Sequence, residues 1–257
     1  MTSAAPDPID EARRILTAAR AASVPLRAMG GVGIALVCPT VRRLAPPRFY
    51  HDIDLAAPSG TPAVGDVLLG LGYDPARRFN TLNGAERLLF HDADGRRIDV
   101  FIGTLRMCHT LSLRGAFTEP SWSLPPADLV LTKLQIVELT ERDGQDLLAL
   151  FADFELTGTD PAGIAVDRVR RVCTGDWGWW RTVDDNLGRL AELWRDQRAA
   201  ADEAFSGVLD LASGRATALR DELATASKSV GWRVRAMIGP RRRWYDLPEE
   251  VRAPPAS

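Results

Sequence analysis

Three short stretches of the chain combine residue types that could do chemistry on phosphates. Met29-Gly30-Gly31 is followed by His51-Asp52-Ile53-Asp54-Leu55, and then by Arg97-Ile98-Asp99-Val100-Phe101. In a strand, residues i and i+2 share a face, so Asp52 and Asp54 project together while Ile53 turns to the core. Asp99, on a neighbouring strand, could complete a carboxylate cage and serve the nucleophile side, as a ligand or a general base. Hard cations such as Mg²⁺ prefer carboxylate oxygen. Two such ions are the natural stabilisers of a nucleotidyl transfer, in which charge builds on phosphoryl oxygens and on departing pyrophosphate. Gly30 and Gly31, opening a helix, would present unencumbered backbone N–H groups to the phosphates. Each motif alone is commonplace; their order and apolar flanks set them apart.

The elements that must position these residues follow from hydrophobic periodicity. Residues 8–22 pattern as an amphipathic helix, and residues 25–29 as a short strand running into the glycines. Residues 32–37 continue as a helix, a Pro/Arg-rich loop covers 39–47, and residues 51–57 form the strand of the aspartate pair. Residues 61–71 pattern as a helix ended by Gly72. Between Glu86 and Gly103, two apolar runs flank Asp94-Gly95, the signature of a hairpin. Asp99 then sits inside a strand whose Ile98, Val100 and Ile102 face the other side, leaving Asp99 to point towards a cleft.

From Ser123 onwards the pattern is helical. One helix starts at Pro125-Pro126-Ala127-Asp128 and carries Lys133; a second carries Leu147, Leu150 and Phe151. Gly158, Gly163, Gly175, Gly188 and Gly214 read as breaks. All seven tryptophans lie at or beyond Trp122, which suggests a separately packed C-terminal half. The fold expected is α/β (α+β): a mixed-sheet catalytic domain over residues 1–120, followed by a helical domain over 121–257. The prolines at 248, 254 and 255 read as a frayed end.

Residues 28–102 resemble the nucleotidyltransferase superfamily related to DNA polymerase beta, whose pattern is a glycine pair, an Asp-x-Asp/Glu and a later strand aspartate. Within it, residues 29–36 and 52–55 are similar to the AbiEii-type toxins and to minimal antibiotic-modifying enzymes. Leu131-Thr132-Lys133-Leu134 and Arg142-Asp143-Gly144-Gln145-Asp146-Leu147 resemble the downstream lysine and Arg-Asp-x-x-Asp-Leu helix of the AbiEii type. The resemblance implies that Lys133 touches the triphosphate and that Asp143 or Asp146 supports the site. It implies a nucleoside triphosphate as donor and favours a toxin-like enzyme acting on tRNA, with an antitoxin protein as a candidate partner; the sequence itself leaves the acceptor open among RNA, a protein hydroxyl and a small molecule. A small-molecule acceptor, or a nucleotide-binding module without catalysis, are the alternatives.

Composition bounds the rest. With 46% hydrophobic and 26% charged residues the chain is of globular type. A net charge of −2 excludes a strongly basic nucleic-acid binder, though not a local patch. The three cysteines, Cys38, Cys108 and Cys173, have neither disulfide-framework nor zinc spacing and read as reduced. No apolar run has membrane-spanning length and the first residues lack a secretory pattern, so a cytoplasmic location is expected. His51 reads as a solvated strand residue and Arg48 as a solvated loop arginine, although either could serve a phosphate or nucleotide. The Trp177–Trp180 cluster reads as core rather than a base-stacking platform. Arg233, Arg235 and Arg241–Arg243 read as a solvated face and tail rather than an RNA contact.

Overall fold

A computed structural model describes residues 7–59 and 62–247; the expected frayed prolines, and Thr61 at the start of the third expected helix, lie outside them. Helix α1 (Pro8–Ala21) starts where Asp7 accepts a hydrogen bond from the Ile9 backbone N–H. It buries Ala12, Ile15, Leu16 and Ala19. Strand β1 (Arg27–Met29) leads directly into α2 (Gly30–Val37). After a 3₁₀ turn over Pro39–Arg43 come β2 (Asp52–Ala57), α3 (Pro62–Gly70), β3 (Asp74–Pro75) and α4 (Arg77–Asn83). Strands β4 (Arg87–His91) and β5 (Arg97–Ile102) form the hairpin closed by Asp94-Gly95.

These strands make one five-stranded sheet in the order β1-β2-β5-β4-β3. The sheet is mixed because β2 runs parallel to β5, whereas the other pairs are antiparallel. Ile53, Leu55, Ile98 and Val100 are fully buried and pack with α1 and α3 residues in one apolar cluster. That burial fixes the register: slipping β2 by one residue would turn its aspartates inward.

The small hairpin β6 (Thr104–Arg106) and β7 (Thr110–Ser112) leads to α5 (Pro126–Leu134) and α6 (Glu141–Asp153). Helix α6 begins with a capping box in which Thr140 and Asp143 satisfy each other's backbone N–H groups. Strands β8 (Leu156–Thr157) and β9 (Ile164–Ala165) precede the helices α7 (Val166–Gly175), α8 (Trp177–Ala200), α9 (Glu203–Thr225) and α10 (Val230–Ile238). Among the described residues no helix is long and apolar enough to cross a membrane.

Two expectations need correction. Gly188 and Gly214 do not break helices; they lie inside α8 and α9. Packing of these helices along each other outweighs the roughly 1 kcal/mol that an interior glycine costs. The helical half is also not packed by itself: the larger apolar cluster joins Met29, Ile34, Cys38 and Ala56 to Leu131, Leu148, Phe151 and Trp194. The tryptophans follow suit. Trp122 lies against the smaller cluster, beneath the Arg20 guanidinium at 4.1 Å.

Candidate functional site

The parallel pairing of β2 with β5 sets Asp54 beside Asp99 and Asp52 beside Arg97. Antiparallel pairing with β1 puts Met29 opposite Asp54, so the first residue of α2, Gly30, lies over that carboxylate. Gly30 has φ +61°, and a Cβ there would overlap the Asp54 carboxylate. Only glycine meets both demands. Gly31 is constrained differently: a Cβ would lie 2.8 Å from the Tyr50 ring. These backbone approaches bring the first turn of α2, whose N–H groups lack intrahelical acceptors, next to the β2 aspartates.

A cleft of about 560 Å³ opens over this strand end, lined by Gly30, Asp52, Asp54, Arg87, Arg97 and Lys133 among others. Asp52 is exposed and Asp54 half-buried. Neither side-chain carboxylate has a hydrogen-bond or ion-pair partner among the described residues, although both residues pair through their backbones in the sheet. Burial, then the charges of Asp52 and Asp99, push the Asp54 carboxyl up to about 7. Two unpaired carboxylates on one strand face, one strained by its neighbours, are a donor set that suits a hard divalent cation. Such an ion removes the repulsion that raises the pKa.

Asp99 is in a different situation. It is only 1% exposed, and both of its oxygens are engaged. Its Oδ1 accepts from Arg87 Nε at 2.8 Å and lies 2.7 Å from Arg87 Nη2; its Oδ2 accepts from Arg97 Nη2 at 2.8 Å. Asp99 therefore does not stand open to the cleft as the strand alternation suggested, because two arginines cover it. Among the described residues no group of three His, Cys, Asp or Glu side chains comes together as a metal site. What the sheet offers a cation is the Asp52–Asp54 edge.

Lys133, near the end of α5, reaches the cleft with its ammonium 3.0 Å from Asp143 Oδ1 and 2.8 Å from Asp146 Oδ2. Burial alone would lower its pKa, but Asp146 and Asp143 outweigh it and hold the pKa above the ordinary lysine value. Asp143 is pulled the other way: burial opposes its charge, yet Lys133 and Thr140 keep its pKa below the usual range. Asp146, fully buried, also accepts from Arg48 Nε at 3.1 Å and Nη2 at 2.9 Å. Both aspartates of the α6 motif thus support Lys133. Arg48 is not a solvated loop residue; it closes a buried ion-pair network across the two halves.

Other readings resolve simply. His51 is exposed. Trp177 and Trp179 are 5% exposed and belong to the core, with Asp176 capping α8. The three cysteines are buried and free. Arg233 and Arg241–Arg243 are exposed, whereas Arg235 is half-buried and donates to the Gly239 and Arg242 carbonyls. The residues that sequence reasoning passed over are Arg87 and Arg97. Arg97 carried a signal, since it shares a strand face with Asp99 in Arg97-Ile98-Asp99. Arg87 carried none, because its place depends on the β4–β5 register.

Comparison with models of known protein families and with curated proteins finds no match.

Proposed function

We propose that the protein is a Mg²⁺-dependent nucleotidyltransferase that moves a nucleoside monophosphate from a nucleoside triphosphate to an acceptor hydroxyl. The observation that carries this reading is the pair of unpartnered carboxylates, Asp52 and Asp54, beside Gly30 and Lys133 in one cleft. Asp52 and Asp54 would hold the cation, which when bound neutralises charge on the phosphoryl oxygens. Lys133 and the first N–H groups of α2 bind the triphosphate and orient it. In the reaction the acceptor oxygen bonds to the α-phosphorus, the α–β bridging bond breaks, and pyrophosphate leaves. The four cationic side chains that line the cleft, Arg87, Arg97, Arg106 and Lys133, suit a polyanionic donor.

The test incubates the full chain with Mg²⁺ and each α-labelled nucleoside triphosphate. The acceptor arms are total tRNA, a protein pool including a candidate antitoxin, and hydroxyl-bearing small molecules such as aminoglycosides. Label transferred by the wild type, and lost in Asp52→Asn and Asp54→Asn proteins that retain their fold, supports the reading. The labelled arm identifies the acceptor. Undiminished transfer in both variants would remove it.

A further inference from the structure

We propose that Asp99 anchors Arg87 and Arg97 as a preorganised guanidinium pair that receives the triphosphate, and does not itself ligate the metal. This rests on the nucleotidyl-transfer reading and assigns the second positive centre of the site to the protein's own side chains. Three observations carry it.

The first is occupancy and burial. Both Asp99 oxygens are already bonded to guanidinium nitrogens, and the carboxylate is 1% exposed. For a cation to take it, two arginines would have to leave and a buried charge arrangement would have to be rebuilt. Removing one partner from such an arrangement is costly because it strands the other. Asp52 and Asp54 pose no such obstacle.

The second is rigidity. The Arg87 guanidinium lies 5.0 Å from the Phe101 ring centroid and 5.7 Å from that of Phe79. Stacking and the Asp99 fork together fix a side chain that would otherwise sample many rotamers. Arg97 is held at the neighbouring register position to Asp52. Groups fixed before the ligand arrives lose little entropy on binding it.

The third is spare donor capacity. A guanidinium has five N–H donors, and Asp99 uses two on Arg87 and one on Arg97. Arg97 Nε is buried with no hydrogen-bond acceptor among the described residues. Both arginines line the cleft that holds Asp52 and Asp54. Planar, multidentate recognition of phosphate oxygens is the task to which guanidinium is best suited.

The experiment measures Mn²⁺ binding by electron paramagnetic resonance, and inorganic tripolyphosphate binding by calorimetry. It uses the full chain as wild type, Asp54→Asn, Asp99→Asn and Arg97→Gln. Arg97 is 41% exposed, so its substitution keeps the test valid should Asp99→Asn fail to fold. The expected result is Mn²⁺ binding lost in Asp54→Asn but kept within about threefold in Asp99→Asn and Arg97→Gln, while tripolyphosphate affinity falls about tenfold or more in Arg97→Gln, as expected for a charge-assisted hydrogen bond. Loss of Mn²⁺ binding in Asp99→Asn matching that in Asp54→Asn overturns the proposal and leaves the nucleotidyl-transfer reading standing. So does Mn²⁺ binding tightened about tenfold in Arg97→Gln, the mark of a masked ligand set free. Unchanged tripolyphosphate affinity in Arg97→Gln overturns it as well. A wild type that binds no Mn²⁺ overturns both.

Discussion

Asp54 carries a measurable penalty in the unliganded protein. Its carboxyl is raised from an ordinary value of 3.8 to about 7 by burial and by the charges of Asp52 and Asp99. A carboxyl raised on folding supports the fold fully below its unfolded value and loses that support as pH climbs through the folded value. The metal-free protein should therefore lose stability between about pH 4 and 7. Asp54→Asn, which cannot ionise, should escape the loss and be more stable than wild type above pH 7, by on the order of 1–2 kcal/mol, less than the full shift because the group is partly solvated. Thermal unfolding in chelator at pH 5 and pH 8 reads this directly. Equal pH dependence in wild type and variant would contradict it.

On the proposed reading Lys133 has two tasks at the same scale. It is the only cation other than Arg48 hydrogen-bonded to the buried Asp146 among the described residues, and it also holds Asp143. Lys133→Ala should weaken binding of a non-hydrolysable nucleoside triphosphate by roughly 1–3 kcal/mol, the worth of a charge-assisted hydrogen bond. It should also lower the melting temperature, since Asp143 loses its counter-charge and the buried Asp146 keeps only Arg48. Unchanged affinity in calorimetry, with only the melting temperature reduced, would confine Lys133 to supporting α6.

Among the elements, α9 offers the cleanest test. Gly214 lies mid-helix with open space where a Cβ would go. Gly214→Ala should stabilise the protein by about 0.5–1 kcal/mol if the helix is continuous, because alanine loses less backbone freedom on folding. A destabilised variant in chemical denaturation would restore the break that the glycine suggested. This contrast shows what the sequence could convey. The β4–β5 hairpin and the Asp52–Asp54 face were legible because they are local: a period of two, bounded by a turn dipeptide, needs no distant partner. The α8 and α9 glycines misled because propensity is local and the packing that overrides it is not. The Arg48–Asp146 pair joins residues 98 positions apart, and the two arginines on Asp99 depend on strand register. No single-sequence pattern encodes either.

The whole molecule is organised so that the sheet supplies the carboxylates and the helices supply the lysine. Lys133 and Asp54 reach one cleft because α2 and α5 share the larger apolar cluster, which also takes in α6, α8 and α9. The residues proposed to hold the triphosphate and those proposed to hold the cation are therefore locked by a common core, with Arg48–Asp146 as a buried tie between them. Such an arrangement fits group transfer, in which donor and cation must be held in one fixed geometry. The central claim is the bond that breaks. The direct measurement runs paired reactions with α-labelled and γ-labelled nucleoside triphosphate, Mg²⁺ and acceptor, and follows both labels. Nucleotidyl transfer predicts the α-label on the acceptor and the γ-label in pyrophosphate, with both absent in Asp54→Asn. A γ-label on the acceptor, or a product that persists undiminished in Asp54→Asn, would contradict it.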